Sequence, residues 1–116
     1  MADSRFKLAI HGKMGSGKST LAQQIQKLSP QKIKIISFAS KLKYFCNSIF
    51  KPKHKNRELL VKFGMKMREI DPDIWVNHTL PIPKYNSWII DDLRFPNELN
   101  KLKQDGWMTL KIFVPD

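Results

Sequence analysis

The sequence predicts an α/β fold: a three-layer sandwich around a short, mostly parallel four-stranded sheet, in a single domain. Three observations lead there. Along the 116 residues, apolar segments of strand length alternate with segments of helical spacing. That order builds parallel sheets through helical crossovers. Two of the strand segments, IKIISF and WII, are continuous apolar runs, as expected of strands buried on both faces. Hydrophobic residues make up 41% of the chain, enough for a packed core and against disorder.

Each element follows from local chemistry. Arg5–His11 alternates Phe6, Leu8 and Ile10 with Lys7 and Ala9 and reads as the first strand. Gly12–Gly17 is a glycine-rich turn. Ser19–Leu28 spaces Leu21, Ala22, Ile25 and Leu28 along one helix face, and Ser29-Pro30 ends it. Ile33–Phe38, rich in isoleucine, is the second strand. Ser40 is expected to cap a helix with Leu42, Phe45, Cys46, Ile49 and Phe50 on one side, stopped at Pro52. Asn56 caps a third helix to about Arg68, with Leu59, Leu60, Phe63 and Met67 inward and Gly64 as an internal weak point. Asp71-Pro72 opens a short helical turn to about His78, with proline in its tolerated first position. Pro81 and Pro83 mark a loop. Ser87–Asp91 is the third strand, Phe95–Gln104 a helix ended at Asp105-Gly106, and Trp107–Val114 the fourth strand.

The formal net charge is +11, from 21 Lys+Arg against 10 Asp+Glu. The excess concentrates between Lys41 and Arg68, where Glu58 is the one acid. Such a segment suits polyanions, nucleotides or nucleic acid, and equally a solvated lysine-rich surface. Cys46 is the single cysteine, so no internal disulfide forms; this fits a reducing, cytoplasmic compartment, and the thiol reads as core. No apolar run is long enough to span a membrane, and the N-terminus carries no secretory signal. His11, His54 and His78 lack the spacing of a transition-metal site.

The chemistry concentrates in HGKMGSGKST. Gly12, Lys13, Met14, Gly15, Ser16, Gly17, Lys18 and Ser19 match G-x-x-x-x-G-K-[ST] at every fixed position, between a strand and a helix, with Thr20 following. Glycines let the backbone turn several N–H groups toward one anion, and the helix adds the positive end of its dipole. The pattern reads as a phosphate loop, with Lys18 reaching the β- and γ-phosphates of a nucleotide and Ser19 ligating Mg²⁺. An apolar strand ending in Asp91-Asp92 is the usual partner of such a loop. Asp91 is expected beside Ser19 on the metal, with Asp92 as the alternative, because strand alternation aims the two differently. The competing reading of the pair is helix capping at the strand–helix junction.

Four segments in order resemble the phage and viral deoxynucleoside monophosphate kinase family, within the adenylate-kinase-like phosphate-loop kinases. They are Phe38-Ala39-x-x-Leu42-Lys43, Arg57-x-Leu59-Leu60-x-x-x-Gly64-x-x-x-Arg68, Asp73-x-Trp75-Val76 and Ile90-Asp91-Asp92-Leu93-Arg94-Phe95-Pro96-Asn97-Glu98. The resemblance covers almost the whole chain. It implies transfer of the ATP γ-phosphoryl group to a (deoxy)nucleoside monophosphate, with ATP and Mg²⁺ bound at the loop and residues 40–80 forming a helical acceptor-binding segment. Members more often show a single D-V-R, which brings Asp92 rather than Asp91 into alignment.

The resemblance places Lys18, Arg68 and Arg94 at the transferring or acceptor phosphate. A guanidinium grips phosphate bidentately and stays charged. The alternative for each arginine is a surface ion pair, for example Arg94 with Glu98 one helical turn on. Phe38 and Trp75 are candidates to line the acceptor pocket, with core packing as the competing role, and Lys43 is a candidate to assist.

Such kinases continue into a lid with arginines, a fifth strand and an adenine-contacting loop, and none of these can be placed before Asp116. The expected form is therefore truncated. Its activity is expected to be weak, or completed by a second copy or a partner chain at the apolar edge strand. A nucleotide-binding remnant without turnover is the alternative function, and a nucleic-acid 5′-end kinase is the less favoured one.

Overall fold

The computed structural model describes residues 5–13, 15–51, 56–80 and 86–113. Met14, Pro52, His54, Pro81, Pro83 and Val114, which carry expectations above, lie outside the described residues. The elements are β1 (Lys7–His11), α1 (Lys18–Leu28), β2 (Ile33–Ile36), α2 (Phe38–Phe50), α3 (Arg57–Ile70), α4 (Ile74–Thr79), β3 (Ser87–Leu93), α5 (Pro96–Gln104) and β4 (Met108–Lys111). Among the described residues no helix is long and apolar enough to cross a membrane.

The four strands form one sheet in the order β2-β3-β1-β4, and every pair is parallel. The central strands β1 and β3 pair Lys7 with Trp88, Leu8 with Ile89 and Ala9 with Ile90. Strand alternation then divides the core in two. Ala9, Trp88 and Ile90 join Phe38, Cys46, Phe63, Trp75 and Leu102 on the face covered by α2 to α5. Ile10, Ile33 and Ile89 join Ala22 of α1 on the other. Helices therefore cover both faces of the sheet, which is why Leu8–Ile10 and Trp88–Ile90 are continuous apolar runs in its central strands.

One boundary differs from expectation for a physical reason. Phe38 does not end β2; it is the first residue of α2, and the cap is Ser37 rather than Ser40. The Ser37 hydroxyl accepts from Ser40 N at 3.2 Å. Asp92, distant in sequence, accepts from the two N–H groups in between. The helix therefore starts earlier because a carboxylate from β3 satisfies its otherwise open donors. Asn56 caps α3 as expected, its Oδ1 accepting from Leu59 N at 3.0 Å.

Gly64 of α3 packs against Leu42 of α2: a Cβ there would lie 2.5 Å from Leu42 Cδ1. Alanine would require Leu42 to turn, and its better helix propensity offsets part of that cost. Gly64→Val adds two further methyl groups into the same contact. The expected loss is about 1–3 kcal/mol, read as a lower urea midpoint at unchanged m-value.

β4 lies at the sheet edge, pairs with β1, and leaves Met108, Leu110 and the following Phe113 exposed.

Candidate functional site

β1 and β3 are parallel neighbours, so their carboxyl ends lie side by side. The chain leaves β1 through the glycine turn into α1, which carries it across β3 to β2. Ligands of open α/β sheets bind at the carboxyl ends of such strands, where the crossover opens a crevice. A cleft of about 430 Å³ lies there, lined by Gly15, Ser16, Gly17, Lys18, Ser19, Thr20, Asp91, Asp92 and Arg94.

The loop conformation needs its glycines. Gly15 and Gly17 have φ of 80° and 90°, in the left-handed region that L side chains avoid. Gly17 is the N-cap of α1, and among the described residues no side chain caps that end. Its first-turn N–H groups are thus left to an anion. Gly12 has a different reason: a Cβ there would lie 3.2 Å from the Ile112 carbonyl oxygen.

The Lys18 side chain folds across the loop, its Nζ donating to Gly12 O at 2.6 Å and to Lys13 O at 3.2 Å. Burial, and next the positive charge of Arg94, lower its pKa; Asp92 and Asp91 oppose the shift. Lys18 is thus a desolvated ammonium facing a second cation, and an incoming anion would relieve both penalties.

The two aspartates diverge. The β1–β3 register shifts between Ala9 and His11, so Ala9 pairs with Ile90 while His11 pairs with Leu93. β3 therefore carries an extra residue at Asp91–Asp92, a bulge of the kind that re-aims side chains beside functional sites. Asp91 Oδ2 accepts from Ser19 Oγ at 3.3 Å. Asp92, also in the cleft lining, reaches the start of α2, where Oδ1 accepts from Phe38 N and Oδ2 from Ala39 N, both at 2.9 Å. Asp92 is therefore a helix cap with both oxygens engaged, the competing role given to the pair above, while Asp91 is the one beside Ser19. Burial and then the Asp92 charge raise the pKa of Asp91, while the Ser19 hydroxyl and Lys18 pull it down.

These placements separate two variants. Asp92→Ala removes both acceptors at the start of α2 and is expected to cost about 1–2 kcal/mol in urea unfolding. Asp91→Ala removes one hydrogen bond from a carboxylate that burial already disfavours, and is expected to cost less than about 1 kcal/mol.

The remaining expected residues divide. Arg94 is exposed and lines the cleft. Arg68 is not in the cleft lining; its Nη2 donates to Glu98 Oε2 at 3.2 Å, and its guanidinium carbon lies 4.0 Å from the Phe95 ring centroid. The Glu98 ion pair weighed above for Arg94 is made by Arg68 instead. Phe38 and Trp75 take the competing role of core packing: both are buried, Trp75 at 1% exposure. Phe38 is drawn inward because α2 begins at it, and Trp75 packs on Phe63 at 5.9 Å between ring centroids. Lys43 is exposed on α2, outside the cleft lining.

Sequence reasoning missed Glu98 as the partner of Arg68. The two lie on different helices, so no local spacing signals the pair. Glu98 is 1% exposed. Burial raises its pKa, and Arg68 and then the Phe95 N–H oppose this. With the folded value raised, the native chain binds a proton more readily than the unfolded one. This group's contribution therefore falls as pH rises from its unfolded value through its folded one.

The arrangement suits a phosphorylated ligand: backbone donors, a buried ammonium and a guanidinium surround one cleft. Ser19 Oγ and Asp91 Oδ2 offer two hard oxygens side by side, which fits Mg²⁺ bound chiefly through ligand phosphates and water. Among the described residues no group of three or more His, Cys, Asp or Glu could hold a metal ion by itself.

No protein-family model matches the chain, and no curated protein matches it. Seventeen (17) chains of solved structures match. One, titled "Structure of Pnkp1/Rnl/Hen1 complex", superposes with a TM-score of 0.47 at 15% identity, over 99% of this chain and 38% of that one. The present chain thus spans well under half the length of that neighbour.

Proposed function

We propose that this chain transfers the terminal phosphoryl group of ATP to a (deoxy)nucleoside monophosphate, giving the diphosphate. One juxtaposition carries the reading: Lys18 and Ser19 at the start of α1, Asp91 in β3 and Arg94 just beyond it line the same cleft. The order of the four kinase-like segments supports the acceptor class.

Each residue has a definite task in this reading. The loop N–H groups hold the donor phosphates. Lys18 exchanges the Gly12 and Lys13 carbonyls for phosphate oxygens. Ser19 and Asp91 would hold Mg²⁺, which when bound would supply positive charge against the negative charge of the donor phosphates. Arg94 faces the charge on the transferring group. An oxygen of the acceptor phosphate forms the new P–O bond as the bond between the γ-phosphorus and its bridging oxygen breaks; ADP leaves with the electron pair. A phosphate monoester is already anionic near neutral pH, so no Ser/His/Asp arrangement is required. Two anions must be held together against repulsion, which is why positioning and positive charge are the whole of the task.

Calorimetric titration with ATP, with and without Mg²⁺, tests the donor half. Mg²⁺ is expected to tighten binding to the wild-type protein, and Asp91→Ala to lose most of that increment. Equal affinity in all four titrations would contradict the assignment of Ser19 and Asp91. Formation of diphosphate tests the whole. The exposed apolar edge at β4 is the proposed surface for a second copy; a monomeric mass across micromolar concentrations in sedimentation would contradict it.

A further inference from the structure

Arg68 is held in a way a surface ion pair is not. Its partner Glu98 is 1% exposed, whereas the Arg68 side chain is 27% exposed. Phe95 stacks against the guanidinium, 4.0 Å from ring centroid to guanidinium carbon. A single guanidinium nitrogen, Nη2, carries the bond to Glu98. Arg68 Nε and Glu98 Oε1 are buried without a hydrogen-bond partner among the described residues. A pair serving stability alone would be expected to close into two parallel bonds. This one leaves much of the arginine fork unused.

Location adds a second reason. Phe95 follows Arg94, which lines the cleft, and Glu98 sits one turn further along α5. Glu98 also feels the charge of Asp92, another residue of the cleft wall. Arg68 is therefore held against the residue that directly follows Arg94, next to the segment that forms this part of the cleft wall. An acceptor phosphate must approach the far end of a triphosphate from beyond the glycine loop.

We infer that Glu98 is a positioning residue: with Phe95 it holds the guanidinium of Arg68 so that the unused part of its fork meets the phosphate of the acceptor nucleotide. This rests on the phosphotransferase reading above and adds the device that orients its acceptor-side cation. Glu98 touches no reacting atom. It acts by fixing a long side chain that would otherwise lose rotamer freedom only on binding. Phe95 restricts the guanidinium plane from one side, and Glu98 restricts its rotation from another. A buried carboxylate is costly to place, and Arg68 is the charge that offsets part of that cost.

The test is steady-state kinetics of Glu98→Gln, which keeps the shape and removes the charge, with acceptor and ATP varied in turn. The expected result is an acceptor KM raised about tenfold or more, with the ATP KM within about twofold of wild type. In an Arg68→Ala background, Glu98→Gln is expected to add no further change in acceptor KM, because the two act as one unit. Phe95→Leu, at a position 38% exposed and so tolerant of change, is expected to raise acceptor KM several-fold with an unchanged melting temperature. It decides the matter should Glu98→Gln fail to fold. The inference is overturned if both KM values move together, if Glu98→Gln is equally harmful without Arg68, or if the folded variants keep the wild-type acceptor KM. These results leave the kinase reading intact. Absence of diphosphate from wild-type protein would remove that reading and this inference with it.

Discussion

Lys18→Ala is expected to lower kcat for phosphoryl transfer by about 10²–10³-fold or more while the protein stays folded. The magnitude follows from what Lys18 does in the cleft. Its ammonium is buried and bridges Gly12 O and Lys13 O, so the side chain already spans the loop where donor phosphates would lie. One preorganised charge aimed at the transferring group is worth several kcal/mol of barrier. The carbonyls released by the variant remain reachable by water at an open cleft, so the stability loss is expected to be within about 1 kcal/mol. Lys18→Arg keeps the charge but replaces a compact ammonium with a broad planar fork. It is expected to recover little activity, because a planar fork does not place its donors where the compact ammonium meets Gly12 O and Lys13 O. Activity retained in Lys18→Ala would mean the cleft is not where phosphate is transferred.

Trp75→Ala is expected to have the largest effect on stability, about 3–5 kcal/mol, from lost burial and the cavity left behind. A domain of this size commonly has about 5–15 kcal/mol in total, so the variant would be largely unfolded at moderate temperature. Trp75 is 1% exposed and belongs to the core that joins α2, α3 and α4 to the sheet. Its Nε1 has no hydrogen-bond partner among the described residues, so Trp75→Phe forfeits no bond and only part of the volume. Trp75→Phe is expected to lower the melting temperature by several degrees and leave the acceptor KM unchanged. A residue lining the acceptor pocket would show the reverse, a raised KM at a wild-type melting temperature.

The fold was legible where local chemistry decides it. The strands and helices of the described residues follow from periodicity, and Asn56 and the Asp105-Gly106 stop were readable as they stand. The glycine loop was legible for the same reason, because its residues are contiguous. Contacts between distant segments were not. Ser40 looked like the cap of α2, yet Ser37 and Asp92 share that work, and Asp92 is brought there by the sheet. Alternation alone tells the two aspartates apart in sequence, but does not show that Asp92 caps α2, a segment distant along the chain. Phe38 and Trp75 could be read as pocket or core, because aromatic residues serve both; only packing decides. Glu98 was noticed for its local spacing to Arg94, while its partner came from another helix.

The most direct measurement incubates the protein with Mg-ATP and each common ribo- and deoxyribonucleoside monophosphate, separates the nucleotides, and runs Lys18→Ala in parallel. The expected result is diphosphate from one or a few acceptors with matching ADP, lost in Lys18→Ala. No diphosphate from any acceptor, in folded protein that still binds ATP, would contradict the proposed reaction and leave a nucleotide-binding chain without turnover.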